Sequence, residues 1–144
     1  MSHLLSAVNA AASALDAQRV RMEVAVSNMA NAESTKGVDG KPYRRRDVVL
    51  QMATPDAFGQ ALGAADGGAD GVKVGGVVED QAPFKRIFQP NHPDAGPDGW
   101  VEMPNVDVPE EMVNLLGAAR AYQANLTAIG LIRDTVQKAL ELAK

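Results

Sequence analysis

The N-terminal part of the chain carries apolar side chains at alternating intervals of three and four residues. This spacing is typical of a heptad stripe on an α-helix, about three and a half repeats long. Residues 1–36 contain no glycine or proline that would interrupt it, so we predict a helical arm over 1–36. The stripe consists of Leu5, Val8, Ala12, Leu15, Arg19, Met22, Val26 and Met29.

The C-terminal part of the chain repeats this pattern. Asp107 can cap the start of a helix, with Glu110 three residues later as in a capping box, and Pro109 stands in the first turn, where its missing N–H costs nothing. We therefore predict a second helical arm over 105–144, in which a continuous helix from Asp107 to Ala143 would be roughly 55 Å long. Its stripe consists of Val108, Met112, Leu115, Ala119, Tyr122, Leu126, Ile129, Arg133, Val136, Leu140 and Ala143.

The second helix also has a second apolar face. At ~100° per residue, Val113, Ala124, Leu131 and Leu142 lie roughly opposite the stripe. The simplest arrangement pairs the two stripes within one chain as a coiled-coil-like pair, but a helix with two apolar faces needs neighbours on both sides. The pattern therefore predicts contacts with other subunits. The predicted interface residues are Leu5, Val8, Leu15, Met22, Val26, Met29, Met112, Val113, Leu115, Tyr122, Leu126, Ile129, Leu131, Val136 and Leu140.

Each stripe is interrupted by one arginine, Arg19 or Arg133. A straight helix drifts ~20° per heptad against a 3.5-residue repeat, so each arginine can lie at the edge of its stripe and reach water. Alternatively, it sets the register by pairing with a carboxylate of another chain. For Arg19 the first interpretation is favoured, because Asp16 and Glu23 lie within reach on its own helix.

The middle of the chain is rich in turn-forming residues. Of the 21 glycines and prolines, 18 lie between Gly37 and Pro104, which predicts a β-rich insertion over 37–104. Residues 53–71 are rich in Ala and Gly and predict a mobile loop, and 90–99 predicts a turn. The fold class is therefore α+β, with a small β-rich domain inserted between two long helices. The predicted strands are Tyr43–Gln51, Val72–Glu79, Phe84–Gln89 and Trp100–Met103.

Composition offers little for catalysis or ligand binding. The chain has no cysteine, its two histidines are 89 positions apart, and 14 basic against 18 acidic residues give a net charge of −4. The missing cysteines exclude disulfides, a thiolate nucleophile and a Cys-type zinc site, and the acidic balance argues against nucleic acid. We predict no catalytic, cofactor or metal site and no small-molecule substrate, and that the protein is not an enzyme.

Three local polar features have simple interpretations. The arginines at 44–46 are expected to form a solvated charged face, with phosphate binding as the alternative. Glu79 and Asp80 are adjacent in a predicted strand, so their side chains point to opposite faces and make a poor acid–base pair. His92 lies in a proline-rich turn and is expected to make a local hydrogen bond.

No apolar run approaches the ~20 residues that a membrane helix needs. The first basic residue is Arg19, so the N-terminus lacks the charged segment of a cleavable signal peptide. These features predict cytosolic residence, or export by a route that leaves the N-terminus uncut.

The end of the first arm carries a recognisable motif. Residues 27–31 read SNMAN and are followed by Ser34 and Thr35, which resembles the ANxxT-type signature that closes the N-terminal helix of bacterial flagellar rod and hook proteins. Asn28 and Asn31 lie one turn apart, and Asn tolerates the left-handed backbone that often ends a helix. The motif residues that match are Asn28, Ala30, Asn31, Ser34, Thr35, Pro104, Asn105, Val106 and Asp107.

Other segments extend this resemblance to nearly the whole chain, except the Ala/Gly loop. Within the flagellar basal-body rod protein family, NHPDA at 91–95 together with PNVD at 104–107 is typical of the member that builds the proximal rod. The further matching segments are PYRR at 42–45, GVVED at 76–80, PFKR at 83–86, GWV at 99–101, EMVN at 111–114 and ARAYQAN at 119–125.

The resemblance implies a structural role. Members of this family build the periplasmic drive shaft of the flagellar basal body and are exported through the flagellar type III apparatus without signal cleavage. The implied partners are other copies of the chain, FlgB-, FlgF- and FlgG-like rod subunits, and the inner-membrane ring and export gate. The alternative is a coiled-coil adaptor or secreted helical binding module, which would form one discrete complex instead of a polymer.

Overall fold

The computed structural model describes residues 2–37, 39–53 and 71–142. Helix α1 spans Ser2–Ala30 and helix α2 spans Val108–Leu142. Between them lie strands β1 (Arg46–Met52), β2 (Val72–Glu79), β3 (Lys85–Phe88) and β4 (Trp100–Met103). The predicted α+β class is confirmed, with two long helices flanking a small strand region. Most of the predicted Ala/Gly loop, 54–70, lies outside the described residues.

The chain forms two compact units. One contains Met1–Val20, Val49–Gly76 and Gly117–Lys144, and the other, here called the junction unit, contains Arg21–Val48 and Val77–Leu116. Both helices contribute residues to both units. The division into 1–36, 37–104 and 105–144 made from the sequence remains a prediction.

Strands β1 and β2 form one two-stranded antiparallel sheet. In the junction unit, the N–H of Asp80 donates to the carbonyl of Arg45 at 2.8 Å. In the other unit, the N–H of Ala53 donates to the carbonyl of Gly71 at 2.9 Å. There, Ser13 of α1 accepts a hydrogen bond from the N–H of Val72 at 3.1 Å, which attaches the start of β2 to the helix.

Strands β3 and β4 form an antiparallel hairpin in which Phe88 pairs with Trp100. Their rings meet edge to face with centroids 5.5 Å apart, a favoured aromatic geometry. Gly99 closes the predicted turn with φ +76°, where a side chain would be strained. His92 accepts a hydrogen bond through Nδ1 from the N–H of Asp94 at 3.1 Å, so its predicted local hydrogen bond is confirmed.

The fully buried residues of α1 are small or polar and do not belong to the apolar stripe. Ala17, Ala25 and Asn28 are buried, whereas the stripe members Ala12, Arg19 and Val26 are exposed. The stripe members Val8, Leu15, Met22 and Met29 are half-buried, so pairing of the two stripes within one chain stays a prediction.

Candidate functional site

The exposed apolar side chains of the helices form the first candidate site. On α1, Val26 is 50% exposed, and Val8, Leu15, Met22 and Met29 are half-buried. A single exposed apolar residue is ordinary for a protein in water, so the role of this stripe as a subunit interface stays a prediction. The side chain of Leu5 lies outside the described residues.

Helix α2 exposes more apolar surface than α1. Val113 and Leu131 of the predicted second face are 69% and 63% exposed, and Leu142 is 90% exposed. The stripe members Met112, Leu126 and Leu140 are also more than half exposed, while Leu115, Tyr122, Ile129 and Val136 are half-buried. The structure thus leaves apolar side chains on two sides of α2, and their role as a subunit interface remains a prediction.

The second candidate site is a buried polar cluster in the junction unit. Its centre is Asn28, which is 1% exposed. The Asn28 amide donates to the carbonyl of Arg46 at 2.8 Å and to Oε2 of Glu111 at 3.0 Å. Its Oδ1 accepts from the Tyr43 hydroxyl at 2.9 Å and from the Arg46 N–H at 3.0 Å. Both donors and both acceptor positions of the amide are therefore used.

Glu111 and Arg45 form the ionic part of this cluster. Glu111 is 2% exposed, and its Oε1 accepts a hydrogen bond from Nε of Arg45 at 2.6 Å. Burial lowers the pKa of Arg45, but the hydrogen bond and charge of Glu111, with the charges of Asp47 and Glu110, outweigh burial and raise the pKa above its ordinary value. The guanidinium is therefore charged at every physiological pH.

The arginines at 44–46 were expected to form a solvated charged face, and this expectation is wrong for two of the three. The Arg45 side chain is only 15% exposed. Arg44 stacks over the Phe84 ring at 4.5 Å and donates to the carbonyl of Asp80 at 2.9 Å. Only the Arg46 side chain, 50% exposed, fits the expectation. The reason is that acidic and carbonyl groups distant in sequence fold around the first two arginines.

The helix-ending motif works through side chains and not through left-handed backbone. Among the described residues, only glycines have positive φ, so neither Asn28 nor Asn31 uses the left-handed backbone that Asn tolerates. Instead, Nδ2 of Asn31 donates to the carbonyl of Ser27 at 2.8 Å, and Ser34 donates to Oδ1 of Asn31 at 3.1 Å. The Ser27 carbonyl also accepts a hydrogen bond from the Asn31 N–H at 3.1 Å, so the Asn31 side chain adds a second bond to the last turn of α1 and connects it to Ser34.

Thr35, the last residue of the helix-ending motif, and its neighbour Lys36 both bond to Asp94 in the hairpin turn, a contact here called the Asp94 clasp. Its hydroxyl donates to Oδ2 of Asp94 at 2.7 Å, and Lys36 pairs with Oδ1 of the same carboxylate at 2.5 Å. The hydrogen bonds from Lys36 and Thr35 lower the pKa of Asp94, helped by the charges of Lys36 and His92 against a smaller opposing effect of burial. Ala30, the remaining residue of the motif, is the last residue of α1.

The second motif, PNVD, leads into α2. Pro104 and Val106 are buried, and Oδ1 of Asn105 accepts a hydrogen bond from the N–H of Arg45 at 2.8 Å. The carbonyl of Asp107 accepts from the N–H of Glu111 at 3.0 Å, as expected of the residue before a helix. Asn28 of the first motif and Asn105 of the second therefore bond to adjacent backbone N–H groups at the start of β1, those of Arg46 and Arg45.

Nothing in the described part of the chain has the arrangement of a metal site, since it holds no group of three or more His, Cys, Asp or Glu side chains suited to a metal ion. A cleft of about 280 Å³ beside the polar cluster is lined mainly by charged groups, including Arg21, Arg45, Asp47 and Glu110. No helix within the described ranges is long and apolar enough to cross a membrane.

Comparison with known proteins identifies the family. Residues 98–142 match the family model for the C-terminal region of flagellar basal-body rod FlgEFG proteins. The flagellar basal-body rod protein FlgC of Salmonella typhimurium is 46% identical over 141 residues, covering 98% of each chain. The FlgC proteins of Bacillus subtilis and Borreliella burgdorferi are 43% and 35% identical, each over at least 95% of both chains. This chain belongs to the FlgC family.

Family membership confirms the resemblance drawn from the motifs. The chain is a structural protein of the flagellar basal-body rod, and its relatives are rod proteins rather than enzymes.

Sequence reasoning missed the pairing of Arg45 with Glu111. One signal was present: Glu111 stands four residues before Leu115 and seven before Ala118, on the apolar side of α2, where an acid needs a partner.

Proposed function

We propose that the chain is a structural subunit of the proximal rod, and that it polymerises through its terminal helices to form the drive shaft that transmits torque and encloses the export channel. The observation that carries the proposal is the set of apolar side chains left exposed on both helices, with Val113, Leu131 and Leu142 each more than 60% exposed. Contacts between different faces of successive subunits produce a helical polymer when the rotation does not close a ring.

The proposed partners are other copies of the chain and FlgB-, FlgF- and FlgG-like rod subunits, with the inner-membrane ring and export gate at the base of the rod. The proposed location is the periplasmic rod, reached by type III export without signal cleavage. Catalysis has no part in this function, because torque transmission needs only contacts that do not slip.

A substitution on the second face of α2 tests the proposal. Leu131→Asp places a charge at an exposed position, so the subunit should fold normally while its contacts with neighbours are lost. Gln137→Asp is the matched control, because Gln137 is an exposed polar residue of the same helix. Each variant is expressed in a strain that lacks its own FlgC, and swimming and the yield of intact basal bodies are measured.

We expect Leu131→Asp to abolish swimming and rod assembly, and Gln137→Asp to retain both. Normal swimming with Leu131→Asp would contradict a role for this face in the rod. A stable stoichiometric complex with one other protein, and no incorporation of the parent chain into basal bodies, would instead favour the adaptor alternative.

A further inference from the structure

The most buried charged group described in the structure connects three separate segments of the chain. Glu111, in the first turn of α2, gives one carboxylate oxygen to Arg45, which precedes β1, at 2.6 Å. It gives the other to Asn28, near the end of α1, at 3.0 Å. We call Asn28, Arg45 and Glu111 the polar triad. All three residues lie in the junction unit.

The burial of this carboxylate is specific to Glu111. The Arg45 guanidinium also lies 3.5 Å from Asp80, 3.6 Å from Glu110 and 3.7 Å from Asp47. The side chains of those three acids are 34%, 63% and 64% exposed, against 3% for Glu111. Water screens the exposed pairs, so they contribute little. Glu111 alone has exchanged its hydration for hydrogen bonds of fixed direction.

A buried ion pair is a poor way to gain stability. Desolvation offsets most of the attraction, and replacing both partners by apolar groups is often neutral or stabilising, whereas removing only one leaves an uncompensated charge. Apolar contacts tolerate small displacements and repacking. A saturated set of directional hydrogen bonds is satisfied in one arrangement only, which is useful where geometry matters more than stability.

We propose that the polar triad is a positioning device. It holds the last turns of α1, the entrance to β1 and the first turn of α2 in the single arrangement that neighbouring rod subunits require, and it contributes little net stability. This inference rests on the proposed function as a rod subunit. Asn28 and Glu111 act through their bonds to other residues of the chain and need not touch a neighbour.

The test compares one double variant with single variants and a matched control. Arg45→Met/Glu111→Leu removes both charges, Arg45→Met leaves Glu111 buried without its cation, and Glu110→Gln removes the exposed carboxylate next to the same guanidinium. Three measurements are made on the full chain: the midpoint of thermal unfolding, the number of backbone amide signals per residue in the NMR spectrum of the junction unit, and the yield of basal bodies in a strain without its own FlgC.

We expect Arg45→Met to lower the unfolding midpoint and the double variant to recover at least half of that fall. The double variant should nevertheless give broadened or multiple amide signals and at least tenfold fewer complete basal bodies. Glu110→Gln should match the parent chain in all three measurements. A double variant that assembles like the parent overturns the proposal. So does one that is unfolded or no more stable than Arg45→Met, because the triad would then be a stabilising contact.

The NMR measurement separates this inference from the proposed function. If the parent chain does not enter basal bodies, the proposed function fails, whatever the variants do. If the double variant shows one sharp amide signal per residue, the positioning role fails, even where the parent chain builds normal rods.

Discussion

Replacing Asn28 by aspartate tests the buried polar cluster with a change of almost no volume. Asn28→Asp keeps the acceptor side, so the bonds from Tyr43 and from the Arg46 N–H remain. The donor side is lost: an oxygen would face the Arg46 carbonyl at 2.8 Å and Oε2 of Glu111 at 3.0 Å. Each buried group left without its hydrogen bond costs about 1–3 kcal/mol, so we expect a loss of about 2–6 kcal/mol.

The assay is thermal unfolding of the full chain followed by tryptophan fluorescence. Trp100 is the only tryptophan, lies in the junction unit and is 42% exposed. A loss of 1 kcal/mol lowers the midpoint by about 4–8 °C for a unit of 60–100 residues, so the lower limit of the estimate predicts a fall of about 8–16 °C. Asn91→Asp, at an exposed position of the same unit, is the control and should change the free energy of unfolding by under about 0.5 kcal/mol.

The deficit of Asn28→Asp should also depend on pH. Two facing carboxylates raise the pKa of one of them, and its protonation supplies an O–H donor that restores a hydrogen bond. The penalty is therefore full at pH 7 and shrinks as the pH falls. An unfolding midpoint equal to that of the parent chain at pH 7 would refute the reasoning, as would a deficit that grows on acidification.

Four other outcomes follow from the structure. Because the pKa of Asp94 is lowered in the folded chain, its bonds to Thr35 and Lys36 stabilise the fold fully above the ordinary carboxyl pKa of about 3.9. This stabilisation is lost as the pH falls through the lower pKa of the folded state, so Asp94→Asn should lose less stability than the parent chain when both are acidified. Gly99→Ala should destabilise the hairpin by about 1–2 kcal/mol in denaturant unfolding, because φ is +76° and the added Cβ would meet the Phe88 ring at 2.7 Å. Gly117→Ala, with open space around the new Cβ, should raise the stability of the isolated chain by about 0.5–1 kcal/mol. Circular dichroism of the dilute chain should show less helix than two full arms require, since helices depend on packing; full helicity in a monomer would contradict this.

Local patterns were sufficient to predict most of the fold. Strands β2 and β4 have the predicted bounds, and α2 begins one residue after the predicted cap at Asp107. Strand β1 begins at Arg46 instead of Tyr43, because the N–H of Tyr43 donates to the carbonyl of Ser34 and that of Arg45 to Oδ1 of Asn105, not to a neighbouring strand. Periodicity also identified two apolar faces on α2, since a repeat along one helix is visible in its own sequence.

The orientation of α1 and the polar triad were not predictable in the same way. The fully buried residues of α1, Ala17, Ala25 and Asn28, lie outside the heptad stripe, because a repeat shows the spacing of apolar side chains and not which side meets the rest of the chain. Arg45 and Glu111 are 66 positions apart, and no local repeat links them. A charge on the apolar side of a helix shows that a partner exists, whereas only the three-dimensional fold shows which residue it is.

The small size of the buried apolar side chains affects the heat-capacity change of unfolding. Within the described ranges, the buried apolar side chains are Ala17, Ala25, Ala118, Val101, Pro104 and Val106, all small or medium in size. The heat-capacity change of unfolding rises with the apolar area that becomes exposed to water. We therefore expect this change to be small when a single subunit unfolds. If the larger leucines and valines become buried only when subunits assemble, polymerisation should carry most of the heat-capacity change. Contacts between subunits should then weaken on cooling.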